Sequence, residues 1–167
     1  MGYSGPIDSP PVSEIADICI ELGKALAEEG HVVYTGGRDG VMELVSKGVK
    51  EAGGTTVGIL PGNFVSEYVN PYVDVPITTG LDFQMRSFVM LHSVDAVVAV
   101  GGEIGTAIEI LGAYAYSKKL ILLRGTGGWT DRFAQILIDG KYLDNRKKVV
   151  VEQAWSVKEV LEKLRRG

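Results

Sequence analysis

The sequence of 167 residues is poor in the residue types that mark several classes of protein. It contains one cysteine, Cys19, and two histidines, which excludes an internal disulfide and a cysteine-rich zinc site. No apolar run reaches the roughly 18 residues of a membrane span, and no signal peptide is recognisable. The net charge is −4, without a basic stripe for nucleic acid. We therefore expect a cytoplasmic protein that binds neither membrane nor nucleic acid.

What the sequence does contain is typical of one α/β domain over residues 1–167. Hydrophobic residues make up 46% of the chain, enough for a sizeable core. Glycine is abundant, with 22 residues, and most of it ends apolar runs. Predicted helices cover residues 12–29, 41–52, 81–93, 106–117, 132–139 and 157–165, and predicted strands cover residues 31–34, 56–60, 73–77, 96–100, 120–123 and 148–151.

Alternating strands and helices predict a Rossmann-like, doubly wound parallel sheet with helices on both faces. The first strand is short or missing, because the chain begins at what looks like the turn after it. Residues 1–3 are too short to replace it. Either the chain is trimmed or the sheet closes the gap in another way.

The stretch over residues 95–111 carries the main candidate site. An apolar run typical of a buried strand ends at Gly101 and Gly102, and helical spacing starts at Thr106, an available N-cap. Backbone N–H groups and the helix dipole at such a turn predict an anion site. The alternative is a tight turn that binds nothing. Glycine turns at residues 35–40 and 125–128 also follow predicted strands, where ligands bind in such folds.

Two charged side chains are candidates for chemistry. Glu109 follows Thr106 by three residues and so points back toward the glycine turn; its alternative role is to stabilise the helix N-terminus. Arg86 lies mid-helix among apolar residues and must reach a carboxylate, a phosphate or solvent. Its alternative is a plain surface arginine. Together they predict a phosphorylated substrate that reacts near the carboxylate.

Four motifs resemble those of the Lonely Guy (LOG) family, long mislabelled as lysine decarboxylases. They are G-G-R-D-G-V-M (36–42), V-G-I-L-P (57–61), M-R (85–86) and G-x-x-G-T-x-x-E (102–109). The resemblance extends from residue 2 to about residue 139. Typical members are phosphoribohydrolases that release a cytokinin base from its riboside 5′-monophosphate. The sequence is also similar to a LOG-like subgroup that includes molybdenum cofactor carriers, which bind a pterin phosphate without converting it.

The resemblance implies that Arg86 and Glu109 are the catalytic pair. It implies a reaction through an oxocarbenium-like transition state, in which Glu109 stabilises positive charge or orients water and Arg86 holds the nucleotide. No cofactor is implied. Family members pair through the helices that carry these two residues, which implies a homodimer. The implied phosphate- or nucleotide-binding residues are Gly36, Gly37, Gly40, Gly102, Gly105 and Thr106.

The sequence departs from the family motif P-G-G-x-G-T-x-x-E at two positions. Gly101 stands for the proline, and Glu103 stands for the second glycine. A Glu103 side chain that points into the site disfavours a monophosphate through charge repulsion, whereas one that points away leaves binding intact. Ser87 also replaces the lysine that usually follows the arginine.

Three functions are compatible with these observations. The first is hydrolysis of the base–ribose bond of a nucleoside 5′-monophosphate, which predicts Arg86 and Glu109 in one pocket with room for water. The second is a carrier or sensor of a phosphorylated heterocycle such as molybdenum cofactor, with Glu109 tied up in structural bonds. The third is DNA binding, suggested by a distant Rossmann relative in DNA uptake; the acidic charge balance argues against it.

Three further side chains allow two interpretations or none. Trp129 either stacks on a base or pterin ring or anchors its loop to the core, and the anchor is favoured. Asp39 either bonds a sugar hydroxyl or caps the following helix, and the cap is favoured. Cys19 lies on an apolar helix face as a core residue. No cluster of histidine, cysteine and carboxylate predicts a metal.

Overall fold

The computed structural model describes residues 1–63 and 69–166, which form two compact units of Rossmann-like α/β structure. The N-terminal unit is Tyr3–Met90, and the C-terminal unit runs from Leu91 onward and includes Met1–Gly2. Each unit contains a three-stranded parallel sheet flanked by helices. The predicted fold class is therefore confirmed, while the single domain over residues 1–167 stays a prediction.

The N-terminal unit has the strand order β1-β2-β3. The central strand β2 is buried along its length because neighbours pair with both of its edges. The elements, after a 3-10 turn at Ser13–Ile15, are α1 (Ala16–Glu28), β1 (Val33–Thr35), α2 (Val41–Glu51), β2 (Thr56–Leu60), β3 (Val75–Thr78) and α3 (Phe83–His92), whose last two residues belong to the other unit. Part of the predicted loop after β2, residues 64–68, lies outside the described residues.

The C-terminal unit has the strand order β4-β5-β6, and all pairs are parallel. Its centre is β5, whose four last residues are fully buried. The elements are β4 (Ala96–Val100), α4 (Ile104–Ala115), β5 (Lys119–Leu123), α5 (Gly128–Ile136), β6 (Val151–Ala154) and α6 (Val157–Arg165). Because the strands are parallel, the turns that follow β4, β5 and β6 share one edge of this sheet.

The start of the chain partly supplies the strand that the sequence lacks. Gly2 forms a parallel bridge with Val100, and the Val100 amide donates to the Met1 carbonyl over 3.0 Å. Residues 1–3 form no strand of their own, and the sheet closes the gap in another way, through this bridge. A single bridge suffices because it is anchored to the already paired strand β4.

Strands β2 and β4 and helix α6 have the predicted bounds, whereas two predictions near the end of the chain are wrong. The predicted loop over residues 124–131 becomes helical at Gly128. The last strand lies at Val151–Ala154 rather than residues 148–151, because pairing of Val151 with Leu120 sets its register. Within the described residues, no helix is long and apolar enough to cross a membrane.

Candidate functional site

In the N-terminal unit, the glycine turn after β1 is held by hydrogen bonds from a distant residue. The Asn70 amide donates to the Gly37 carbonyl over 2.8 Å, and its side-chain Nδ2 donates to the Arg38 carbonyl over 2.7 Å. The Thr35 hydroxyl accepts from the Gly37 amide over 3.0 Å. The turn that contains Gly36, Gly37 and Gly40 is therefore rigidly placed at the carboxyl end of β1. Asn70 was missed by sequence reasoning, since it lies in an irregular segment without a motif.

Arg86 is buried beside this turn and is not a surface arginine. Its side chain is only 6% exposed. Nη1 donates to the Ile59 carbonyl over 2.7 Å, and Nε donates to the Phe83 carbonyl over 3.2 Å. A Cβ atom at Gly36 would lie 2.1 Å from Nη1, so the guanidinium packs against bare backbone. The structure thus brings Arg86 and the first glycine motif together.

Asp39 does not cap α2, so that interpretation is wrong. The N-cap residue is Gly40, and no side chain caps the helix; instead, the Val41 amide donates to the Tyr3 carbonyl over 2.9 Å. Asp39 cannot cap because it lies one position too early. Its Oδ1 is buried, and no described residue donates to it.

In the C-terminal unit, the turn between β4 and α4 differs from the prediction at its cap. Gly101 and Gly102 have φ values of 60° and 94°, which favour glycine. Helix α4 begins at Ile104 with Glu103 as N-cap, because the Ala107 amide donates to the Glu103 carbonyl over 3.1 Å. Thr106 is therefore inside the helix, and its role as N-cap is wrong. Its hydroxyl donates to the Gly2 carbonyl over 3.1 Å.

The first turn of α4 offers uncapped backbone donors. Within the described parts of the chain, no residue accepts a hydrogen bond from the amides of residues 104–106. Gly105 faces open space, since an added Cβ would meet no atom within 4 Å. The Glu103 side chain is exposed and makes no capping bond. Such amides at the positive end of a helix are able to donate to an anion, and the anion site at this turn stays a prediction.

Glu109 lies in the second turn of α4 and is only 8% exposed. The effect of the helix dipole on an acid fades beyond the first turn, and solvent does not surround this carboxylate. Glu109 therefore lies beyond the helix end that such an acid stabilises, and its role stays a prediction. Arg86 belongs to the N-terminal unit and Glu109 to the C-terminal unit, and their joint role stays a prediction.

In the third glycine turn, residues 125–128, the amides of two glycines are bonded to one carboxylate. The Asp131 carboxylate accepts from the amides of Gly125 over 3.0 Å and Gly127 over 2.7 Å, and from Arg124 Nε over 2.7 Å. Burial alone would raise the pKa of Asp131, but these hydrogen bonds and the guanidinium charge outweigh it and hold the pKa below its usual value. The Asp131 carboxylate therefore already occupies two of the backbone donors of this turn.

The two tryptophans have contrasting environments. The Trp129 ring packs against Phe133 at 5.3 Å, and its amide donates to the Gly102 carbonyl over 2.8 Å, which favours the anchoring role. Trp155 follows β6, is 62% exposed and lies under the Arg124 guanidinium at 4.8 Å. Sequence reasoning missed Trp155, because nothing in its neighbourhood resembles a motif.

Other reactive groups do not extend the site. Burial raises the pKa of the Cys19 thiol to about 12, so the residue is an unreactive core side chain. Among residues 1–63 and 69–166, no group of three or more histidine, cysteine or carboxylate side chains could hold a metal ion. The candidate groups are therefore Arg86 with the first glycine turn in the N-terminal unit, and Glu109 with the turn after β4 in the C-terminal unit.

Comparison with known proteins relates most of the chain to one family. The family model described as the SLOG cluster4 family matches residues 1–160. The X-ray structure of the structural-genomics target TM1055 is 64% identical, with a TM-score of 0.97, and the match covers 100% of this chain and 96% of that one.

Two relatives with a described function differ in what they do. The molybdenum cofactor carrier protein from Chlamydomonas reinhardtii is 35% identical with a TM-score of 0.77, over 99% of this chain and 96% of that one. The cytokinin riboside 5′-monophosphate phosphoribohydrolase LOG from Oryza sativa subsp. japonica is 29% identical over 160 residues, which are 89% of this chain and 65% of that protein. The chain thus spans just under two thirds of the rice enzyme.

Proposed function

The chain belongs to the SLOG cluster4 family, and from that membership we propose that it binds a phosphorylated nitrogen heterocycle and hydrolyses the base–ribose bond of a nucleoside 5′-monophosphate. The family match also confirms the resemblance to LOG-like proteins on which the site residues depend. Hydrolysis and carriage share this binding step.

The observation that carries the proposal is the uncapped first turn of α4. The amides of residues 104–106 are able to donate to an anion, and the bare Gly105 lets a phosphate approach the backbone. Gly102 shapes the turn through its positive φ. The exposed Glu103 side chain is free to turn toward solvent, which leaves room for a monophosphate.

The proposed reaction places the base–ribose bond near Glu109. A water oxygen bonds to C1′ of the ribose while the C1′–N bond breaks, and the base leaves with the electron pair and gains a proton. Glu109 stabilises the positive charge that develops on the sugar, or orients the water. Arg86 balances the negative charge of the nucleotide, and its bonds to the Ile59 and Phe83 carbonyls hold its guanidinium in place.

The test is the release of free base from a panel of nucleoside 5′-monophosphates, followed by chromatography. We expect the wild-type chain to release base and Glu109→Gln to lose at least about 100-fold in rate, as is typical of an essential acid or base. Glu162→Gln on α6 is the matched control for loss of one negative charge and should retain the wild-type rate.

Base release that persists in Glu109→Gln would contradict the proposed role of this carboxylate. Thermal stabilisation of the wild-type chain by a monophosphate, without base release, would support carriage instead. If no phosphate compound stabilises the chain, both functions are wrong.

Carriage of a phosphorylated heterocycle is the second candidate, supported by one specific observation. The carrier protein from Chlamydomonas reinhardtii matches 99% of this chain at 35% identity, a higher identity and coverage than the rice enzyme. A carrier needs the phosphate-binding turn but does not need to catalyse a reaction. The cargo would then be a pterin phosphate such as molybdenum cofactor.

We also propose that two copies of the chain pair through the apolar faces of α3 and α4. On α4, the exposed residues Ile104 and Leu111 lie on one face, seven positions apart. On α3, Met85 and Val89 are exposed with helical spacing. Exposed apolar side chains in such rows are typical of a protein interface.

A further inference from the structure

Trp155 is an exposed aromatic side chain that is held in a defined position. Its ring lies under the Arg124 guanidinium at 4.8 Å. Arg124 itself cannot move freely, because its Nε bonds Asp131 and its Nη1 bonds Gln153. The Trp155 amide donates to the Glu159 carboxylate over 3.0 Å. A large apolar ring that is exposed yet fixed in this way is prepared to stack on another flat group.

The position of Trp155 connects it with the anion site of α4. Both follow strands of the same parallel sheet, β6 and β4, and so lie at its carboxyl edge. Two strand spacings separate the ends of these strands, about 10 Å. Between them lies the turn of residues 125–128, where a Cβ on Gly125 would be 4.0 Å from the Trp155 ring. The floor between the ring and the amides therefore includes bare backbone.

We propose that Trp155 is the stacking platform for the heterocycle of the ligand whose phosphate binds at residues 104–106. This inference rests on the proposed function and deepens it, because it specifies a flat aromatic ring joined to a phosphate by a sugar or a similar linker. Guanine and pterin rings share this chemistry. The Arg124 side chain is a positioning residue that orients the tryptophan.

The test uses the fact that the chain has two tryptophans. In Trp129→Phe, Trp155 is the sole indole fluorophore. We expect GMP and neopterin 3′-phosphate to quench its emission and ribose 5-phosphate to leave it unchanged, because only the first two carry a ring. Stronger quenching by one of the two identifies the ring as a nucleobase or a pterin.

Calorimetry of Trp155→Ala supplies the affinity. We expect GMP to bind roughly tenfold more weakly, the typical effect of removing one stacking ring, and ribose 5-phosphate to bind as before. Trp155→Phe keeps a ring and should bind GMP within about twofold of wild type. Circular dichroism checks that each variant is folded.

The outcomes separate this inference from the proposed function. Suppose that the wild-type chain binds GMP and ribose 5-phosphate, that Trp155→Ala binds GMP as tightly as wild type, and that quenching is absent. The stacking platform is then wrong and the anion site stands. If the wild-type chain binds none of the three compounds, the proposed function fails and the platform fails with it. A Trp155→Ala variant that changes the mass in solution and leaves GMP affinity unchanged marks an interface and also overturns the platform.

Discussion

At the scale of single residues, the position of the Arg86 side chain depends on Gly36, which has no side chain. Gly36 lets the guanidinium lie against the backbone of the turn, where Nη1 reaches the Ile59 carbonyl over 2.7 Å. In such a buried position, a hydrogen bond adds little to the free energy of unfolding. A donor left unpaired lowers that free energy by about 1–3 kcal/mol. The orientation of Arg86 is therefore sensitive to a single methyl group on Gly36.

Gly36→Ala tests this dependence. The new Cβ would lie 2.1 Å from Nη1, so Arg86 must shift and lose its bond to Ile59. We expect a loss of about 1–3 kcal/mol in the free energy of unfolding by urea, and at least about tenfold weaker binding of AMP.

Gly105→Ala is the matched control for stability. Its Cβ meets no atom within 4 Å, and alanine is favoured over glycine in a helix, so stability should stay equal or rise by up to about 1 kcal/mol. Equal stability of Gly36→Ala and Gly105→Ala would show that the contact between Gly36 and Arg86 is relaxed without cost.

The sequence carries part of this residue-scale information. The family motifs pointed to Arg86, Glu109 and the glycines, because motif spacing is local. It did not show that both charged residues are buried, nor that Asn70 holds the first turn, since these depend on contacts between segments distant in sequence. Trp155 was missed for the same reason, as its partner Arg124 follows another strand, β5.

At the scale of elements, the carboxylate of Asp131 organises the turn between β5 and α5. It accepts two backbone hydrogen bonds from glycines and one from Arg124. The sequence predicted a glycine-rich loop here and a helix only from residue 132. The wrong boundary has a physical cause: two consecutive glycines oppose a helix start, and the bonds to Asp131 offset that preference.

Asp131→Asn should destabilise the chain by about 1–3 kcal/mol at neutral pH, because a charged acceptor is lost from a half-buried network. The folded pKa of Asp131 is lowered. The stabilisation is therefore fully present above the unfolded pKa of about 3.9 and is lost as pH falls through the lower folded pKa. Urea unfolding at several pH values between about 7 and 3 measures both effects.

In this series, wild type and Asp131→Asn should converge in stability at the acid end. Asp95→Asn, at an exposed site, is the control and should parallel the wild-type curve. A constant difference between wild type and Asp131→Asn over the whole pH range would mean that the charge of Asp131 is not the source of its effect.

At the scale of the whole molecule, the fold class could be predicted because alternating strand and helix patterns leave few arrangements. The pairing of Gly2 with Val100 could not be predicted, because a single β-bridge leaves no pattern in the sequence. The proposed homodimer is argued at this scale from exposure: Ile104 and Leu111 on α4 face solvent in the isolated chain.

Leu111→Glu tests the proposed homodimer. Leu111 is 50% exposed, so a charge there is tolerated by the folded chain and disfavoured only in an apolar interface. We expect light scattering to give the dimer mass for wild type and the monomer mass for the variant. Ile136→Glu, at an exposed position on α5, should stay dimeric; a dimer in both variants would place the interface elsewhere.

The hydrogen bond from Thr106 to the Gly2 carbonyl joins residues 104 positions apart. Closing so long a segment costs entropy before any contact repays it, so the turn before α4 completes late in folding. During synthesis it has to wait until α4 has emerged from the ribosome. Contacts that form after the rate-limiting step affect unfolding rather than folding. A ligand bound at this turn therefore lengthens the lifetime of the native chain and leaves its speed of folding unchanged.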